Sequence, residues 1–448
     1  MKKSSDETKL RVISKDGNDS SSSLSQKNSL LSSGTMAKVA VVTALVAVTG
    51  TVAQRSFAAV TINSAGTVSA ARTQARDLFK ALTAIGLPID DPRLVTMEAD
   101  IARGDQRSAA KVATSDPLFY NVRVRDMAKA LSTQSLSVRA PLSDFVATFV
   151  GVVRDSDSTP AKALLTGNFT YVGDPNKTMV AGTQMVAQSD ADFLSSNQHY
   201  DDLTKGNFSL YDVLTRKDGQ RVVNGDNGSV MAHPDPAGLI TTYAFQGAHA
   251  FMGTNRRLVQ YSMQVFMCVE MKDWADPTAP DNRVGRDVDR VPSGSSSKYL
   301  QTCKACHGQM DGFRGAFSHV DFNNNTATYS AGVEGKMNRN KDVFPGGFVM
   351  GDDSFLNYAT EPANQDQFGW RSANLTGNGM GQFAAMIADS QGFSRCMVRH
   401  VFTSVCKHTP STAQESLIRS MATDFENDSY NFRNVFERVA IHPQCLNQ

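Results

Sequence analysis

The chain has almost no net charge. Its 448 residues carry 45 Lys and Arg against 44 Asp and Glu, a formal balance of +1. A protein whose main work is neutralising phosphates carries a basic excess, so nucleic acid is excluded as the principal partner. Cysteine is sparse, at six residues, too few to build a disulfide scaffold at this length. No G-x-S-x-G or H-E-x-x-H occurs, so hydrolase chemistry has no positive support. No internal repeat is found. The apolar fraction of 41% is too high for a wholly disordered chain. Apolar residues are also too scattered for a multi-span membrane protein. A chain this long predicts two to four domains at about 100–200 residues each.

The first 35 residues are polar and Ser-rich and read as a disordered tail. Residues 39–53 then form a 15-residue apolar stretch. A full membrane span needs about 20 apolar residues, whereas a secretory core needs about 7–15 followed by small residues. Ser56-Phe57-Ala58 supplies such a site. Two readings follow: an export signal cleaved near Ala58, with Met36 a possible start, or an uncleaved anchor through 39–53. Lysines precede the stretch, so both place the remainder in the periplasm or cell envelope.

Apolar periodicity predicts a mainly α, multi-helical fold. Helices are expected over 70–86, 93–103, 108–114, 121–131, 143–153, 239–253, 257–271, 381–406, 411–427 and 431–440. Pro410 closes one of these, and Ser411 is the expected N-cap of the next. The expected organisation is a tail plus signal or anchor segment (1–58), an N-terminal helical domain (59–155) and a mixed middle domain (156–273). A linker loop (274–298), a cytochrome c-like haem region (299–380) and a C-terminal helical domain (381–448) complete it.

Cys303-Lys304-Ala305-Cys306-His307 carries the chemistry. C-x-x-C-H is the c-type haem attachment signal. Two thiols three residues apart on a helical turn can each reach a vinyl group on one porphyrin edge. His307 then lies over the iron as proximal ligand. One motif implies one covalent haem c. A zinc site would need a second ligand pair at similar spacing, and a thioredoxin-like dithiol would need a βαβ pattern. Neither is present. For the distal side the first candidate is Met350, at the end of the loop Phe344-Pro345-Gly346-Gly347-Phe348-Val349. Met337, Met380, His319 and His400 compete with it, and an open position is the remaining alternative.

Cys268, Cys396, Cys406 and Cys445 remain, with three complete pairings. Cys396 and Cys406 lie ten apart on one expected helix, about 15 Å at 1.5 Å per residue, so they cannot pair. Two pairings stay open. Weaker features are discounted. Asp321-x-Asn323-x-Asn325 starts like a calcium loop but has Thr326 and Gly332 where Gly and Glu are required. His249 reads as a satisfied core histidine, and Asp352-Asp353 as a solvated pair.

Several blocks resemble one family. They are Gly238–Thr242, Asn255-Arg256-Arg257, Met267-Cys268-Val269, Cys303–His307, Met310-Asp311-Gly312-Phe313, Phe393–Cys396 and Arg399–Phe402. Together with upstream segments such as Phe169–Val172, they resemble exported planctomycete- and myxobacterial-type haem-binding proteins built from domains of unknown function. The resemblance covers most of 70–448 in short blocks. It implies haem, export, a cytochrome-like domain and a terminal helical domain, but no substrate. Residues 322–381 are longer than in that pattern, and Val405–His408 replaces its usual turn. Cys268 and Cys396 look family-like while Cys406 and Cys445 do not, so the resemblance favours Cys268–Cys396 and Cys406–Cys445.

The expected function is therefore an exported monohaem cytochrome that passes single electrons to a redox partner protein. The alternative is a haem peroxidase or oxidase with an open distal position. A structural envelope protein stapled by haem is the third reading.

Overall fold

The computed structural model describes residues 68–132, 141–340, 343–371 and 376–446. The N-terminal tail, the apolar stretch 39–53 and the site at Ala58 lie outside them. The described residues belong to one compact unit, multi-helical with a minor strand content. None of the described helices is long and apolar enough to cross a membrane.

The core is organised around the helix Asp144–Arg154, buried at every position from Asp144 to Val153. Its sequence is apolar nearly all round, so it must be enclosed on all sides. Gly151 faces Tyr171 on the strand Phe169–Gly173, and a Cβ there would lie 2.3 Å from the Tyr171 ring. Absence of a side chain is what lets helix and strand meet. That strand pairs antiparallel with Leu214–Asp218. A four-stranded sheet runs Val230–Ala232, Arg221–Asn224, Thr326–Tyr329, Val320–Asn323, with its central pair parallel at Val223 and Thr328.

The first and last helical segments share this core. Arg107 donates to Glu437 at 2.9 Å, and the Thr114 hydroxyl donates to the same carboxylate at 3.0 Å. Glu437 is buried, so these bonds satisfy a charge that could not stand alone there. The stretch 274–298 is irregular apart from short helical turns at Pro292–Gly294 and Ser296–Lys298, and it packs on its neighbours: Asp276 N–H donates to Ala305 C=O at 2.9 Å.

Several helix boundaries differ from expectation. The expected helix 381–406 is two helices, Gly379–Ala388 and Gln391–Cys406. Ser390 separates them, adopting extended backbone and accepting from Phe393 N–H through its hydroxyl. A capping serine within an apolar run is invisible to periodicity but decisive locally. The helix expected over 121–131 starts earlier, as a π-turn over Phe119–Val124. The expected 239–253 is a 3-10 turn, Gly238–Thr241, then the helix Tyr243–His249. Asp144 accepts from Tyr243 and Ala244 N–H at that helix's start, a cap supplied from a hundred residues away. Ser411 does cap as expected, forming a reciprocal box with Gln414.

Candidate functional site

The C-x-x-C-H motif spans the junction between a π-turn, Tyr299–Cys303, and the helix Lys304–Phe313. The helix is buried from Gly308 onward, while Lys304–His307 are half-buried. Its far end is held by aromatics. Phe313 packs on Trp274 and Phe383, with ring centroids 6.1 and 5.7 Å apart. Gly308 lies against the backbone of Pro280 and the side chain of Ala279. Clamping one end leaves the motif-bearing end at the surface.

Cys303 and Cys306 are free thiols, both half-buried. Burial, with a smaller push from Cys303, raises the Cys306 thiol above its ordinary value. Cys303 packs on a small cluster of Val284, Val288 and Tyr299, separate from the main core. Exposed apolar side chains occur in the same stretch of chain, at Val291, Leu300, Val343 and Val349.

His307 is 26% exposed, yet its Nδ1 is wholly buried. The other ring edge therefore carries the exposure. Nδ1 faces Asp311, one helical turn on, at 3.7 Å. Asp311 is fully buried and sits in a charge network. Arg256, on the helix Arg256–Met267, donates to Asp311 through Nε and NH2 at 2.5 and 2.7 Å. The same guanidinium binds Asp287, through NH2 at 2.8 Å and through NH1. Gly285 N–H adds a bond to Asp311 at 3.0 Å. Burial opposes the charge on Asp311, but Arg256 overcomes it and holds the carboxyl well below the usual carboxylate range. Arg314, completely buried, lies 3.6 Å from Asp287. Two guanidinium groups thus face two carboxylates beneath the imidazole.

These residues fit a covalently attached haem. The thiols are unpaired and on one helical turn. The imidazole turns Nδ1 inward, 3.7 Å from Asp311 and without a hydrogen-bond partner among the described residues, which leaves Nε2 for iron. Exposed Leu300 stands three residues before Cys303. Asp311 and Arg256 entered the reading from sequence only inside the family-like blocks, and Asp287 and Arg314 not at all. The four-residue spacing of His307 and Asp311 was the signal available, since such a pair shares a helix face.

The other candidates lie as follows. Met350 is buried, and its main chain is clamped by Asn338 on both sides of the peptide at 2.8 and 2.9 Å. Its sulfur packs at Gly315, 3.5 Å from where a Cβ would stand. Gly315 is eight residues beyond His307, on the 3-10 turn Arg314–Phe317 that follows the helix. Met337 and Met380 are buried, the latter beside Gln246. His319 is held by Ser330 C=O at 2.8 Å and stacks on Tyr329. His400 sits beside Cys268 and Cys396.

The disulfides are Cys268–Cys396 and Cys406–Cys445, the pairing that the resemblance favoured. Asp321 and Asn323 lie on the strand Val320–Asn323, Asn324 and Asn325 make the hairpin turn at positive φ, and Lys336 pairs with Asp321. His249 is in the core, but neither ring nitrogen has a hydrogen-bond partner among the described residues, contrary to the satisfied histidine expected. Asp352 accepts from Ser354, and Asp353 from Asn378.

Comparison with family models, curated proteins and solved structures finds no match for this chain.

Proposed function

We propose that the chain binds one haem c covalently through Cys303 and Cys306, with His307 on iron, and passes single electrons in the cell envelope. The observation that carries this reading is the pose of His307. Its Nδ1 is turned inward to an anionic carboxylate and its other edge outward, beside two free thiols. Bound haem would supply a one-electron iron couple. The chain's own residues orient the imidazole, hold a negative charge beneath it and give apolar cover. Two disulfides support an oxidising compartment, consistent with the export segment expected at 39–53.

One observation favours the second reading, a haem peroxidase or oxidase. The Met350 sulfur is already packed at Gly315 in the buried interior, which suits an open distal position. Optical spectra of the purified protein separate the two. A low-spin spectrum in both redox states, unaffected by cyanide, supports the carrier. A high-spin oxidised spectrum with ready cyanide binding supports the enzyme.

A further inference from the structure

The Cys268–Cys396 disulfide differs from an inert staple in its surroundings. Cys268 caps the helix Arg256–Met267 and lines an open cavity of about 540 Å³. Cys396 lies behind it and is completely buried. His400, one turn beyond Cys396, lines the same cavity. Its Nε2 is 3.3 Å from Cys396 Sγ and 3.6 Å from Cys268 Sγ. Nε2 also lies 2.8 Å from Val265 C=O. A carbonyl only accepts, so Nε2 carries the hydrogen. Burial keeps this imidazole neutral. That N–H is held by Val265 C=O and lies 3.3 Å from Cys396 Sγ, so it can be shared with the sulfur farther from the cavity. The cavity is also lined by Arg123, Arg399 and Lys407 against one carboxylate, Asp126, and with Arg399 paired to Glu415 outside the lining its wall keeps a positive excess.

We propose that Cys268–Cys396 is a thiol–disulfide exchange site that accepts small anionic thiols from this cavity. The thiolate of the small molecule attacks Cys268 Sγ and forms a mixed disulfide. The Cys268–Cys396 bond breaks, and its electron pair leaves on Cys396 Sγ. The His400 Nε2–H stabilises that thiolate, and a better-stabilised leaving thiolate departs faster. A second small thiolate attacks its own sulfur in the mixed disulfide. That releases the small-molecule disulfide and the Cys268 thiolate. Two thiols supply two electrons, and the two protein thiolates take up the two protons the small thiols gave. Cys406–Cys445 is an internal control, because no imidazole lies at hydrogen-bond distance from either sulfur among the described residues. This proposal is independent of haem.

The test treats the full chain with mercaptoacetate, neutral mercaptoethanol or cationic cysteamine. Acid quenching, alkylation and peptide mass mapping then locate the mixed disulfides. Rates are compared at equal thiolate concentration. The expected result is a mercaptoacetate adduct on Cys268, formed about tenfold faster than any adduct on Cys406 or Cys445, with cysteamine slowest. His400→Phe should slow the Cys268 reaction about tenfold, the factor for one lost hydrogen bond to a charged sulfur, and leave Cys406–Cys445 unchanged. Lys407→Glu, at the exposed rim, should narrow or reverse the preference for the anionic thiol and keeps the test valid if the His400 variant does not fold. Equal rates at the two disulfides, first attack on Cys396, or no response to the charge of the thiol would overturn the proposal.

Discussion

His307 turns its Nδ1 toward Asp311, and Asp311 is gripped by Arg256. The imidazole at the surface is thereby tied to a charge network at the core. Asp311→Asn keeps the shape but removes the charge that Arg256 and Arg314 share. Breaking a buried pair on one side costs about 3–5 kcal/mol, so the urea midpoint should fall accordingly. In haem-loaded protein the reduction potential should rise, because a carboxylate partner makes the imidazole a stronger donor to oxidised iron. Potentiometry on the variant reads that sign directly.

Met350 and Gly315 make a second, separable prediction. Met350→Ala empties a packed site and should cost about 2–5 kcal/mol. The geometry at Gly315 makes this a packing loss, so the spectrum of the folded, loaded variant should match the parent. Loss of a sulfur-to-iron charge-transfer band would instead place Met350 on iron.

Gly315 itself has no room. A Cβ there would lie 1.8 Å from Ser354 C=O. Gly315→Ala should destabilise by about 3 kcal/mol through forced backbone movement, measured by thermal or urea unfolding.

His249 should make the fold acid-sensitive. Burial, aided by Arg257, pushes its pKa down to about 3. The unfolded histidine titrates near 6.5. As pH falls below about 6.5 the unfolded state takes up a proton that the folded state refuses, so stability is lost from there down to about pH 3. Between pH 6.5 and 5 the loss is about 1.6 kcal/mol, approaching 1.36 kcal/mol per pH unit below pH 6. His249→Phe preserves the stacking against Tyr261 and removes the titration. The variant should show a flatter stability profile over that range, whereas an unchanged slope would remove His249 as the cause.

Local signals carried much of the fold. Of the apolar spacing Ala71, Ala75, Leu78, Phe79 and Leu82, all but Ala71 line the buried face of Ala70–Thr83, and Ser411 caps where its sequence suggests. C-x-x-C-H was legible because attachment chemistry is local. What was not legible depends on distant partners. Asp144 caps a helix a hundred residues on. The parallel pairing of Val223 with Thr328 joins segments that share no pattern. Arg256 and Asp311 are 55 residues apart and form one unit only once Arg256–Met267 packs beside Lys304–Phe313. The break at Ser390 was missed because flanking apolar residues continue the helical period across it.

The most direct test is the pyridine haemochrome spectrum of the purified full chain, produced in a host that attaches and exports c-type haem. The expected result is a c-type spectrum with one haem per chain, retained through acid–organic extraction and released from a Cys303→Ser/Cys306→Ser double variant. Folded protein with no haem, or haem that extracts freely from the parent chain, would contradict the assignment.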